Sequence, residues 1–160
     1  MAGFSVEAGK ISRAGNRDLA IICLMHHVTE SLLVGNLEDA KKPPLFVEGV
    51  LFLAAEHDIA PPDGVIFARI PMVEFGQATP QQAYEAVAWL EQHAGTRKIM
   101  VCCRAGMGRS VSMVIAYLCC AKGMSYEEAM QLLKARRPGA TPLPMLEDTI
   151  QQVIRMRQSG

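Results

Sequence analysis

The run Val101-Cys102-Cys103-Arg104-Ala105-Gly106-Met107-Gly108-Arg109-Ser110 gathers thiols, glycines, guanidinium groups and a hydroxyl in one short stretch. An apolar segment, Lys98 to Cys103, leads into it and a helical pattern, Val111 to Ala121, leads out, so it reads as strand, tight loop and helix. Gly106 and Gly108 let the backbone turn without a Cβ penalty. The amides of Arg104, Ala105, Gly106, Met107, Gly108 and Arg109 can then converge on one point at the positive end of the helix. Such a nest binds a tetrahedral oxyanion. Arg109, six residues after Cys103, can close the ring and offer a planar fork to two of the anion's oxygens. A thiol at a helix N-terminus beside cations is held as the thiolate, whereas an ordinary one near neutrality is mostly protonated. Cys103 is therefore the candidate nucleophile, and Ser110 can donate a hydrogen bond that steadies its sulfur.

The rest of the chain has to position that loop. With 160 residues, 50% of them hydrophobic and 20% charged, it has the length and composition of one globular domain. Sixteen basic residues balance sixteen acidic ones, so no global field points to nucleic acid or to an anionic membrane. The charge is nevertheless segregated. No Asp or Glu lies between Glu91 and Glu127, a stretch holding Arg97, Lys98, Arg104, Arg109 and Lys122, whereas Val28 to Glu85 carries nine acids against Lys41, Lys42 and Arg69. The apolar run Leu19 to Met25 is too short to cross a bilayer. Cys23, Cys102, Cys103, Cys119 and Cys120 are odd in number and paired in sequence, unlike a secreted disulfide framework, and His26, His27, His57 and His93 offer no zinc spacing. A cytoplasmic chain with reduced thiols, no metal and no stable membrane insertion is expected.

Strands are expected at Leu19–Cys23, Ser31–Val34, Gly49–Leu53, Gly64–Ile70 and Lys98–Cys103. Thr79-Pro80-Gln81-Gln82 forms a capping box with proline at the first helical position and opens a helix to about His93. Ser125-Tyr126-Glu127-Glu128 opens another that stops before Pro138-Gly139, and Leu146, Ile150, Val153 and Ile154 mark a last one. The Lys41–Pro44 and Pro61–Gly64 segments read as surface loops. Arg136 and Arg137 end a helix, where cations suit the dipole, and carry no expected site role. Trp89 and the methionines read as core. The sum is an α/β domain with a central sheet and a helical second half.

Cys103 to Ser110 matches the Cys-x5-Arg-Ser/Thr signature of the cysteine-dependent protein tyrosine phosphatase superfamily, and the chain resembles its small dual-specificity branch. Ser31-Leu32-Leu33-Val34-Gly35-Asn36 is similar to that branch's early Leu-Gly-Asn strand, and Val114 to Leu118 to its post-loop helix. Gly123-Met124-Ser125, Glu128-Ala129 and Arg137-Pro138 continue the pattern. The resemblance implies a central four- to five-stranded, mostly parallel sheet flanked by helices, with no metal and no organic cofactor. It covers residues 28–160 as the catalytic domain, and the residue pattern before it, over 1–27, reads as an N-terminal arm and first strand of the same single domain. It further implies hydrolysis of phosphotyrosine and phosphoserine or phosphothreonine in proteins through a phosphocysteine, with phosphate, vanadate or tungstate as active-site anions.

The leaving oxygen needs a proton, which the family takes from an Asp on a mobile loop. After the strand Gly64–Ile70 the chain reads Pro71-Met72-Val73-Glu74-Phe75-Gly76, so Glu74 is the candidate acid and Gly76 the source of loop freedom; Asp63 and Asp58 are the runners-up. Cys102 stands where the family has His, which helps organise the loop. Packing is its expected role, with a redox bond to Cys103 as the alternative. Arg104 is the one feature that suits phosphoinositides or other non-protein phosphates, and since Met107 adds no second cation, protein phosphate ranks first. A pseudophosphatase that only binds phosphate is the reading from another class.

Overall fold

In a computed structural model that describes residues 25–160, five strands form one sheet. In chain order they are β1 (His26–His27), β2 (Leu32–Gly35), β3 (Gly49–Ala54), β4 (Ile66–Met72) and β5 (Ile99–Cys102). Their spatial order is β1-β2-β5-β3-β4. Only β1 against β2 is antiparallel; β2–β5, β5–β3 and β3–β4 are parallel. The helices are α1 (Leu37–Lys41), α2 (Pro80–His93), α3 (Arg109–Lys122), α4 (Tyr126–Arg136) and α5 (Leu146–Ser159). The expected strand at Leu19–Cys23 lies outside the described residues. Among those described, no helix is long and apolar enough to cross a membrane.

Strand side chains alternate between faces, and both faces of this sheet are covered. Leu32, Val34, Leu51, Leu53, Ile99 and Val101 join the larger core with α2, α3, α4 and α5. Their neighbours Leu33, Val50, Phe52, Met100 and Cys102 pack on the other side with Ala40 of α1. The same alternation sends Cys102 and Cys103 apart: Cys103 belongs to the helical side and Cys102 to the opposite one. A bond between them finds no support, and complete burial pushes the Cys102 thiol well above its usual range.

The capping boxes form where the sequence places them. Thr79 accepts from Gln82 N at 3.1 Å and Ser125 from Glu128 N at 3.1 Å, and each is answered by the reciprocal side-chain bond. A third box was not anticipated. Asn36 Oδ1 accepts from Asp39 N at 3.0 Å and Asp39 Oδ2 from Asn36 N at 2.9 Å, starting α1. Lys41, read as loop, is the last residue of that helix, which at five residues is too short to show a period. Helix α3 has no side-chain cap: Gly108 is its N-cap, so its first N–H groups remain available to the loop before it.

Candidate active site

The loop from Cys103 to Arg109 leaves β5 at the carboxyl end of the parallel strands and enters α3. Four successive carbonyls of this loop are held from outside. Arg104 O accepts from Leu37 N at 3.1 Å and Met107 O from Thr141 N at 2.8 Å. Ala105 O and Gly106 O accept from the Arg137 side chain, from Nη2 at 3.2 Å and from Nε at 3.0 Å. In a planar trans peptide the carbonyl and the following N–H point opposite ways. Anchoring carbonyls 104 to 107 outward therefore turns the N–H groups of Ala105, Gly106, Met107 and Gly108 toward the interior of the loop. Gly106 N donates to Cys103 Sγ at 3.2 Å, as that geometry requires.

Of the two loop glycines only Gly106 uses the left-handed region, at φ 71°. A Cβ there would come within 2.6 Å of both Arg137 Nη2 and Gly35 O. Gly108 has ordinary φ and instead permits the approach of Thr141 O, 3.3 Å from where its Cβ would sit. The expectation that both glycines supply unusual turns is thus corrected to one turn and one close approach. Likewise the left-handed residue of the acid loop is Phe75, at φ 61°, not Gly76.

Cys103 is 2% exposed, yet it forms part of the floor of a cavity of about 290 Å³ lined by Arg104, Ala105, Met107, Gly108 and Arg109. Glu74 and Phe75 form one wall, and the 141–144 segment another. Cys103 Sγ lies 3.3 Å from Ser110 Oγ, within hydrogen-bonding reach.

Arg109 is buried and its guanidinium is fixed. Nη1 donates to Glu56 Oε1 at 2.5 Å and to Met72 O at 3.0 Å, and Nη2 donates to Glu56 Oε2 at 2.8 Å. One edge of the fork is therefore filled. The other edge, Nε–H and the second Nη2 hydrogen, is the one left for an anion in the cavity. The hydrogen bond from Arg109 holds the Glu56 carboxyl down at about 2.

Glu74 reaches the cavity as expected. Its Oε1 accepts from Arg104 Nε at 3.0 Å and also from Arg104 Nη2. Arg104 Nε is 3.8 Å from Glu56 Oε2 as well, so carboxylates and guanidiniums alternate across the mouth. The runners-up are not brought in: Asp63 lines a separate groove beside Lys41 and Lys42, and Asp58 does not line the cavity.

Two residues of the site were not anticipated. Arg137 is 1% exposed and braces the loop from behind, which corrects its reading as a dipole-matched helix end. Glu56 follows β3, whose pairing with β5 aligns Phe52 with Cys102. An acid just past a buried parallel strand falls at the same end of the sheet as the loop, and that was the available signal.

A family model described as "Dual specificity phosphatase, catalytic domain" matches residues 61–155, more than half of the chain. The chain belongs to the dual specificity phosphatase family. It is a cysteine-dependent phosphatase domain. Dual specificity protein phosphatase 1B of Arabidopsis thaliana is 27% identical over 146 residues, covering 86% of this chain and 83% of the relative. Human dual specificity protein phosphatase 22 is 28% identical over 123 residues, covering 74% and 67%. Among solved structures, a mouse putative dual specificity phosphatase complexed with zinc tungstate superposes with a TM-score of 0.74 over 85% of this chain and 89% of that one, at 22% identity, which speaks for the fold.

Proposed function

We propose that this phosphatase hydrolyses phosphate monoesters of phosphotyrosine and phosphoserine or phosphothreonine in proteins, through a phosphocysteine on Cys103. The observation that carries this reading is the set of four outward carbonyls, which turns the intervening N–H groups toward the interior of the loop and makes it a receptor for PO3 oxygens. The Cys103 thiolate attacks phosphorus in line; the S–P bond forms as the P–O ester bond breaks, and the leaving oxygen takes a proton from the Glu74 carboxyl. Water then attacks the phosphocysteine, giving its proton to Glu74 as the P–S electron pair returns to sulfur. The Ser110 hydroxyl stabilises that departing thiolate, and the free edge of Arg109 follows the equatorial oxygens throughout. Every group needed comes from the chain, so no metal or cofactor enters the scheme.

Arg104 is engaged by Glu74 and Glu56 rather than aimed outward alone, which favours protein phosphate over a polyanionic lipid. The thiols of Cys102, Cys103, Cys119 and Cys120 are free, which suits a reducing compartment such as the cytoplasm.

Steady-state turnover of p-nitrophenyl phosphate and of an alkyl phosphate tests the scheme. Cys103→Ser abolishes both activities while tungstate binding survives. Glu74→Gln slows the alkyl ester about 10²-fold and the activated aryl ester little, because only the former needs a strong proton donor. Equal losses remove Glu74 from the acid role, and a wild type that binds phosphopeptides without turnover makes the domain a phosphate-reading module instead.

A further inference from the structure

The brace behind the loop ends on a histidine. Arg137 spends Nε and Nη2 on Gly106 O and Ala105 O, and its Nη1 lies 2.6 Å from His26 Nδ1 on β1. A guanidinium stays protonated at any ordinary pH and can only donate. Nδ1 must therefore be the acceptor, which fixes His26 as the neutral ring carrying its proton on Nε2. We propose that His26 is a positioning residue for the phosphate loop: its Nδ1 lone pair holds Arg137 in register with the two carbonyls, and protonation of the ring removes that hold and slackens the anion site. The proposal rests on the phosphatase reading for its activity readout.

Two observations beside the short contact support it. Arg137 is 1% exposed, and its fork sits against Gly106, where a Cβ would come within 2.6 Å of Nη2, so its head cannot move without disturbing the loop. The charged groups around the ring also favour the neutral form. Burial is the main cause that keeps His26 below its usual 6.5, followed by the Arg137 charge. Asp39 of α1 opposes both as the smallest of the three influences, and burial pushes its own carboxyl up. Glu38 and Lys41 of α1 pair with each other at 3.5 Å on the exposed side. Cys102, at the end of β5, is buried and its raised thiol is neutral. Among the described residues, a protonated His26 thus meets Arg137 at contact distance with Asp39 as the one carboxylate acting to offset it.

The test compares wild type with His26→Gln, whose amide oxygen accepts from Arg137 but does not titrate, and with His26→Phe, which fills the space and accepts nothing. Values of kcat/KM for p-nitrophenyl phosphate and tungstate affinities are measured from pH 8 downward. At neutral pH His26→Phe loses at least about tenfold in both, and His26→Gln recovers most of it. As pH falls, the ratio of His26→Gln to wild type climbs by up to about tenfold per pH unit once the wild-type ring protonates; substrate ionisation cancels in that ratio. Nitrogen-15 NMR of wild type finds Nδ1 unprotonated at neutral pH, with a midpoint that coincides with the rise in the ratio. A ratio flat with pH, an Nδ1–H tautomer, or a His26→Phe variant equal to wild type overturns the proposal. If His26→Phe does not fold, the Gln ratio and the tautomer decide. If wild type hydrolyses nothing, the functional reading fails, and the tungstate affinities still decide about His26.

Discussion

The front of the phosphate loop presents Arg109 to a carboxylate, whereas the back leans Arg137 on two carbonyls and an imidazole. Both guanidiniums are buried, at 3% and 1% exposure, so both must be answered. The answers differ in what each arginine is for. Arg109 meets full charge on one edge, which fixes its plane and leaves the other edge free for an anion. Among the described residues Arg137 donates to two carbonyls and a neutral imidazole, with the Asp39 carboxyl acting on it through space, and those hydrogen bonds set the backbone. On the proposed reading, one arginine binds the anion and the other shapes the receptor.

The largest effect expected from disturbing the front is at Arg109 itself. Arg109→Lys keeps a charge but loses the second edge of the fork. Its kcat for p-nitrophenyl phosphate is expected to fall about 10²- to 10³-fold, with thermal unfolding changed far less. At the back, Gly106→Ala forces a side chain into a left-handed position and into Arg137 Nη2 and Gly35 O. That strain costs on the order of 1–3 kcal/mol. Calorimetric unfolding and tungstate affinity should therefore fall together in Gly106→Ala, while Arg109→Lys uncouples them. If both variants lose affinity without losing stability, the division of labour between front and back is wrong.

The front was the more legible side. Cys103, Arg109, Ser110 and the loop amides are local in sequence, and the strand, loop and helix that carry them follow from apolar runs and a glycine turn. The helices α2 and α4 were equally plain, because a capping box is a four-residue signal. Glu74 could be placed from its position after β4. What could not be read was pairing across distance. Glu56 and Arg109 are 53 residues apart, and Arg137 and His26 are 111 apart. No period or cap records such a meeting; the strand order makes them neighbours, setting β3 directly beside β5 and β1 one strand beyond it, across β2. Arg137 was misjudged for a related reason, since a cation at a helix end satisfies the dipole whether or not the chain folds over it. At position 102 the resemblance implied His and the chain has Cys, while the imidazole that touches the loop's brace comes from β1.

The smallest of the expected effects separates the two sides by their pH windows. Glu56→Gln replaces one of the two carboxylate oxygens that accept from Arg109 with an amide donor, so one charge-assisted bond is lost and kcat/KM should fall about tenfold. The wild-type carboxyl lies at about 2 in the folded chain against an ordinary value of 4.5. A depressed folded value stabilises the fold above the unfolded one and loses that contribution as pH falls through the folded one. The stability gap between wild type and Glu56→Gln is therefore constant above about pH 5 and closes as the pH approaches 2. His26 also has a depressed folded value, but its ring starts from 6.5, so its contribution begins to fade in the range where the Glu56 gap is still flat. Chemical denaturation of wild type, Glu56→Gln and His26→Gln from neutral to acid pH should then give two curves that bend in different places. A Glu56→Gln gap that already shrinks between about pH 7 and pH 5 would mean that the front of the loop is titrated through its back, and that the two arginines share one network.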